Sequence, residues 1–569
     1  MIATTELPDN TAARRLVQCL VENGVTHVFC VPGESFLAVL NALGEAEESI
    51  RVIVCRNEAG AANMAVAYGK LTGRPGICLV TRGPGATHAS IGVHNAHEDS
   101  VPMILFVGQV AHRFKGRGAF QELDYPATFG HIAKLAVELD DPERVVEITN
   151  RAFSTALQGR RGPVVVSLPE DILTQDAGCR EPQFVTAARA GVSPEILAEI
   201  GERLTAAARP LLIMGGTGWS ESALAALSRW AAVLKLPIIL SFRRKDLIDN
   251  EHPCYIGDIG FGSNPQLLGR IKEADLIIAL GARLGEVPSQ GYTLFNADAT
   301  LQKLVHIHPG AEEIGRVWPA GLSAVADLNE AALALSSLPL KRHCNGWLQM
   351  ARADFERFTT PIPVTGQVNL SEICTHLSQT LAADAIVCNG AGNYTAWLHR
   401  FFRHRKFGTQ LAPTSGAMGF GLPAGVAAKI MYPERDVVVL AGDGCFLMTG
   451  QELATAIQYN AAIVIIVVDN GSLSTIRMHQ EYQYPGKAVG TDLRNPDFVA
   501  YARSFGAWGR MVDRTEDFPD ALWAACAAGV PALVHLRVAL EDIAPGLTIS
   551  RIRAASLAGG RAVMGTDRR

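Results

Sequence analysis

Asp443 and Asn470 are of the types, and stand at the spacing, that could hold a cation against a phosphate. Asp443 lies in the turn Gly442-Asp443-Gly444, directly after the apolar run Val437-Val438-Val439-Leu440-Ala441. Asn470 follows a second apolar run, Ala461 to Val468, as part of the pair Asp469-Asn470. Such short runs suit buried parallel strands, and the stretch between them, which carries Glu452, suits a crossover helix. A strand–turn–helix–strand unit puts both side chains at the carboxyl ends of neighbouring strands, where open α/β sheets bind ligands. One carboxylate, one amide oxygen and backbone amides freed by glycine suit a hard divalent cation carrying phosphate oxygens. A plain βαβ unit with a glycine turn would account for the Gly-Asp-Gly alone.

Three further stretches share this strand-then-turn form. Val52-Ile53-Val54-Cys55 runs into Arg56-Asn57-Glu58-Ala59-Gly60, which places Glu58 at a strand's end and a helix's start, where the helix dipole favours a carboxylate. Gly76 to Thr81 runs into Arg82-Gly83-Pro84-Gly85-Ala86-Thr87-His88. Ala385-Ile386-Val387-Cys388 precedes Gly390-Ala391-Gly392-Asn393-Tyr394, whose backbone amides can hold phosphate oxygens. His94 and His97 are one helical turn apart and read as a solvated helix face.

The elements that position these residues alternate between apolar runs and helical patterns, which argues for an α/β chain with parallel sheets. At 569 residues the chain is too long for one core. Two Pro-containing stretches, Asp176 to Pro194 and Ser336 to Gly366, read as linkers. They divide the chain into three doubly wound domains: an amino-terminal domain over 1–175, a central domain over 192–336 and a carboxyl-terminal domain over 366–547, with a tail at 548–569 read as a mobile end. The first and third are open to a shared topology, since each has a glycine turn after an apolar strand. A formal net charge of -5 gives no reason to expect nucleic acid or an anionic membrane as partner. No apolar run approaches the length of a membrane span, and the stretch MIATTELPDNTAARR has no apolar core of a signal peptide. The eleven cysteines are scattered without a CxxC pair, which fits a reducing cytosol and predicts a cytoplasmic protein.

Taken together, these motifs resemble the acetolactate synthase and 2-oxo acid decarboxylase superfamily of thiamine diphosphate enzymes, and the likeness runs from Thr11 to Pro545. The resemblance implies that Asp443 and Asn470 bind Mg2+ through their side chains and Ser472 through its backbone carbonyl, with Gly442, Gly444 and Cys445 at the diphosphate. Asn393 and Tyr394 fall where the family has Gln-His beside the diphosphate. Ser415-Gly416-Ala417-Met418-Gly419 is close to the family sequence. There Met418 would bend the cofactor, and the Gly416 carbonyl would take a hydrogen bond from its amino group. Glu58 matches the cofactor-activating glutamate, whose carboxyl group favours the imino form of the aminopyrimidine. Gly83 and Gly85 match the turn beside the pyrimidine, from which Arg82 and His88 depart.

Substrate class is implied by Ala119-Phe120-Gln121-Glu122, the synthase form of a loop that carries two adjacent histidines in pyruvate decarboxylases. Phe120 would form an apolar wall, Gln121 would offer a hydrogen bond near the reacting carbon, and Lys134 falls at a synthase lysine near the substrate entrance. This favours decarboxylation of a 2-oxo acid such as pyruvate with carboligation to a second carbonyl compound. Simple decarboxylation to an aldehyde and a non-catalytic cofactor-binding paralogue are the rival readings. His479 is the nearest residue to the synthases' channel tryptophan. Together with Arg82, Asn393 and Tyr394, it argues against assuming branched-chain amino acid synthesis. In acetolactate synthases the central domain holds FAD. Here Arg283-Leu284-Gly285-Glu286 and His306-Ile307-His308-Pro309 replace the synthase acidic residues, so FAD and a flavin-free domain both stand open. Family members build each site from two subunits. This implies that Glu58 serves the cofactor held by Asp443 of the partner subunit, in a homodimer or homotetramer.

Overall fold

The computed structural model describes residues 10–339 and 346–559. The chain divides into two units, one of residues 1–188 with 426–431 and the other of 189–425 with 432–569. The first holds one sheet: β1 His27–Cys30, β2 Arg51–Val54, β3 Gly76–Val80, β4 Met103–Gln109, β5 Leu135–Glu138 and β6 Pro163–Pro169. The second holds two. One is built from β7 Pro210–Met214, β8 Ile238–Leu240, β9 Tyr255–Asp258, β10 Leu276–Leu280, β11 Leu304–His308 and β12 Leu322–Val325. The other is built from β13 Ile386–Asn389, β14 Gln410–Leu411, β15 Val437–Gly442, β16 Val464–Asp469, β17 Trp508–Val512 and β18 Ala532–Arg537.

The strand pairings within these sheets are parallel, as the apolar runs require. β4 and β6 are buried at every position, which only strands covered on both faces can be. The orders are β2-β1-β3-β4-β6-β5, β12-β11-β10-β7-β8-β9 and β14-β13-β15-β16-β18-β17. The first and third are the same wiring, and the central sheet is a different doubly wound one. Helix starts follow local chemistry: Asn57 caps Glu58–Thr72 by accepting from the Ala59 amide at 2.8 Å, and Ser220 caps Glu221–Leu234.

Three expectations change. The stretch 336–366 is not only a linker, because helix Trp347–Phe358 lies in it and sends Trp347 and Phe355 into the central core. The tail is docked at its start. Helix Ile549–Leu557 buries Ile549 and Ile552 with Met478 and Ile543, and Arg553 pairs with the buried Glu481. Residues 560–569 of the tail and 1–9 of the stretch read for a leader lie outside the described residues. Finally, the crossover after β15 is broken into helix Asp443–Leu447, a 3-10 turn at Gly450–Glu452 and helix Leu453–Gln458. Thr449 at the break donates its hydroxyl to the Gly419 carbonyl at 2.8 Å, so the chain is pinned where a continuous helix would have passed.

Candidate active site

In the larger unit a cavity of about 300 Å3 lies at the carboxyl ends of β13, β15 and β16 and is lined by Asp443, Asn470, Ser472, Gly416, Met418 and Asn393 among others. These strands are neighbours in the sheet, and Gly442 is in register with Val468, so the turns after β15 and β16 open side by side. Gly442 has to be glycine here. A Cβ would stand 2.9 Å from the Tyr394 ring, which packs between the turns.

Asp443 is 4% exposed and accepts from the Gly444 amide and the Asn495 side chain, both at 2.8 Å. Burial pushes its carboxyl up to about 6, against those hydrogen bonds, and the neighbouring Asp469 adds to the rise. Burial also raises Asp469, yet His535, the Gly471 amide and Asn495 hold it down to about 2. A bound divalent cation would reverse the shift at Asp443. The donor set fits such a cation. Asn470 spends its amide nitrogen on the Ser474 hydroxyl at 2.6 Å, which leaves its carbonyl oxygen as the ligand end. The Ser472 carbonyl accepts from the Ser474 amide at 2.8 Å, and its buried hydroxyl has no hydrogen-bond partner among the described residues. Among the described residues no cluster of three or more His, Cys, Asp or Glu is set to hold a metal. Such a site would need its remaining ligands from the cofactor's phosphates.

Two predicted diphosphate side chains are otherwise engaged, which corrects the expectation. Tyr394 is buried, and its hydroxyl accepts from the Gly390 amide at 3.0 Å and donates to the Cys445 sulfur at 3.3 Å. Asn393 donates to the Ile543 carbonyl at 3.0 Å and accepts from the Thr475 hydroxyl at 2.9 Å. It therefore ties three pieces of chain together instead of offering a free donor. The Cys445 sulfur also faces inward and takes the Gly419 amide at 3.3 Å, leaving only backbone there for a phosphate. Met418 lines the cavity, with its terminal methyl 3.6 Å from where a Cβ on Gly444 would stand.

In the smaller unit the ends of β2, β3 and β4 bring together Glu58, Gly83, Gly85 and Gln121. A Cβ on Gly85 would be 3.5 Å from the Glu58 carboxylate, and one on Gly83 would be 2.8 Å from the Gln121 carbonyl. Glu58 meets His88 Nδ1 at 2.9 Å. Gln121 is held with φ +63°, a left-handed conformation unusual for a side chain of its kind. Glu122 shapes this turn by accepting from the Ala119 amide at 3.1 Å, and it leaves Phe120 73% exposed. Arg82 is pinned between Glu34 and Glu170, both at 3.1 Å. Lys134 is not with this group. Its amide bonds to Pro163 at the amino end of the sheet, and its ammonium donates to the Thr155 and Gln158 carbonyls, closing the helix Val145–Leu157. A lysine at the opposite edge cannot guard a substrate entrance at the carboxyl ends.

The chain matches the family described as the thiamine pyrophosphate enzyme N-terminal TPP binding domain over residues 10–128. It matches the central domain of the same enzymes over 197–335 and their C-terminal TPP binding domain over 390–536. The chain belongs to the thiamine pyrophosphate enzymes. It is 30% identical over 542 residues to the acetolactate synthase isozyme 2 large subunit of Escherichia coli, covering 94% of this chain and 96% of that protein. It is 30% identical over 548 residues to the acetolactate synthase large subunit of Parasynechococcus marenigrum, covering 93% and 87%. With acetolactate synthase of Bacillus subtilis the identity is 27% over 545 residues, covering 94% of each. This thiamine pyrophosphate enzyme is thus acetolactate synthase-like.

The corner of the central sheet, where its strand order reverses between β7 and β10, is closely packed. The glycine turns after β7 and β10 pack on each other, since a Cβ at Gly216 would meet the Gly281 carbonyl at 2.6 Å. Leu328 fills in beside them, and Trp219 bonds back to the Gly215 carbonyl at 2.8 Å. His306 and His308, which replace the synthase acidic residues, are buried and bonded to the Ala282 carbonyl and to Gly310. Arg283 is paired with Glu313 at 3.1 Å.

Sequence reasoning missed Asn495, His535 and the role of Asp469. Asp469 is visible in the polar pair that closes β16, but nothing near Asn495 or His535 in the chain marks them. Only the fold brings them to Asp443.

Proposed function

We propose that this acetolactate synthase-like enzyme decarboxylates a 2-oxo acid such as pyruvate, with Mg2+ and thiamine diphosphate, and joins the two-carbon fragment to a second carbonyl compound. What supports this most is the single cavity on which Asp443, Asn470, Ser472, Gly416 and Met418 converge. When bound, thiamine diphosphate supplies an electron sink for the carbon that loses CO2. Asp443 and Asn470 would hold Mg2+ at the diphosphate, and the turn at Gly442–Cys445 would present backbone to it. Gly416 would orient the aminopyrimidine through its carbonyl, and Met418 would set the angle between the rings. Glu58 would hold a proton at the pyrimidine ring nitrogen. Phe120 and Gln121 would wall the reacting carbon and donate a hydrogen bond there, which favours an acceptor carbonyl over a proton. We read the assembly as a homodimer or homotetramer.

The test is product analysis with purified protein, pyruvate, thiamine diphosphate and Mg2+. A ligated 2-hydroxy-3-oxo acid is the expected product. Acetaldehyde alone would move the protein to the simple decarboxylases, and no pyruvate consumption would leave it a binding paralogue. A screen of other 2-oxo acids then identifies the preferred pair.

A further inference from the structure

We propose that Asn495 is a positioning residue of the cation site, which fixes Asp443 for the metal and holds the adjacent Asp469 out of the coordination sphere. The proposal rests on the reading of Asp443 as a metal ligand.

Two carboxylates converge at the ends of β15 and β16. The Asp443 and Asp469 carboxyl groups lie close together, because both accept from one and the same nitrogen. Like charges this close repel, and either could take a cation. A single side-chain nitrogen stands between them. Asn495 Nδ2 donates to Asp443 Oδ2 at 2.8 Å and to Asp469 Oδ1 at 2.8 Å, so both of its protons are used on the pair. The far side of Asp469 is held by His535 Nε2 at 2.9 Å and its near oxygen also takes the Gly471 amide at 3.0 Å. His535 is in turn packed edge-on against Phe498, with ring centroids 5.1 Å apart. Asp469 is therefore locked from three directions, and Asp443 from two. Asp443 lines the cavity with Asn470, whereas Asp469 does not. The arrangement assigns one carboxylate to the cation and keeps the other as a fixed neighbouring charge. Outer-sphere partners of this kind set ligand orientation, and losing one typically costs about 10–100-fold in metal affinity.

The experiment is a Mn2+ titration of the full-length protein in the presence of thiamine diphosphate, with free Mn2+ read by electron paramagnetic resonance. Asn495→Leu keeps the branched shape and removes both donors. Its apparent Kd should rise about 10–100-fold. Adding Asp469→Asn should recover most of that loss, because the new amide abuts Asp443 and can donate to it directly. A residue that merely fills space would show neither effect. Should N495L not fold, Asn495→Ser, which retains one donor, should weaken Mn2+ binding by a smaller factor that D469N again offsets. Wild-type affinity in N495L or N495S, or no recovery in the double variant, overturns the proposal while the cofactor reading stands. Failure of the wild-type protein to take up Mn2+ with thiamine diphosphate overturns both.

Discussion

Replacing Arg553 with alanine should undock the carboxyl-terminal helix without unfolding the sheets. Glu481 is completely buried on helix Ser474–Gln483. It accepts from Arg553 Nε at 2.9 Å and Nη2 at 2.7 Å, from Arg477 Nε at 3.2 Å and from the Gly486 amide at 2.9 Å. The Arg553 fork, working against burial, is the main reason its carboxyl drops from 4.5 to about 2. A fall of that size corresponds to roughly 3 kcal/mol for all the donors together. Arg553 supplies the largest share, but its own side chain is 39% exposed. Water also replaces it in part, so ~2 kcal/mol is the expected loss. That is about a thirtyfold larger open fraction for residues 549–557. Hydrogen exchange of those amides at neutral pH reads it directly. The sign with pH is also fixed. A carboxylate held below its unfolded value gives its full contribution above about 4.5 and loses it as pH falls towards 2. Wild-type protection should therefore decline across that window, and the R553A protein should show a shallower decline. The docked segment follows directly on Asp542 and Ile543, which line the cavity, so thiamine diphosphate should also bind more weakly to R553A. Exchange within twofold of wild type at neutral pH would refute the reasoning.

The other predictions are briefer. Glu58→Gln should lower turnover about 10²–10⁴-fold while cofactor binding persists, measured as steady-state CO2 release beside a cofactor-binding isotherm. Wild-type turnover would remove Glu58 from its role. Gln121→Gly should raise the melting temperature, since glycine relieves roughly 1 kcal/mol of left-handed strain, yet shift the products towards aldehyde. The purified protein should carry no visible flavin absorbance even after incubation with FAD, because Leu328 and Trp219 occupy the space beside the central glycine turns.

The parts of this protein that are written locally were legible in the sequence. The strands at Val437 and Ile386 are short apolar runs ended by glycine, and both stand where that pattern puts them. The second run was read from Ala461, but the strand starts at Val464, because Ala461 is still bonded back to Ala456 in closing the preceding helix. Apolar character alone does not separate the end of a helix from the start of a buried strand. Lys134 shows the limit of carrying a residue over by position, since only strand direction reveals which edge of the sheet it occupies. Tyr394 and Asn393 show another. Their place in the turn was legible, but where their polar atoms point depends on Cys445, Thr475 and Ile543, which are distant in the chain. The helix Ile549–Leu557 was hidden by its arginines and alanines, for its docking depends on a buried glutamate and apolar residues supplied by other parts of the chain.

The identical wiring of the first and last sheets has a consequence for how the two halves differ. In each, the third strand in chain order leads into a Gly-x-Gly corner: Gly83-Pro84-Gly85 after β3 and Gly442-Asp443-Gly444 after β15. Pro84 and Asp443 each open the helix that follows the corner. A proline there offers neither charge nor amide hydrogen, and an aspartate offers a hard anionic ligand. On the function proposed above, that one difference at one corner would separate a half that grips metal and phosphate from a half with no charged ligand there. Two sheets of one wiring would then divide the labour on a common frame.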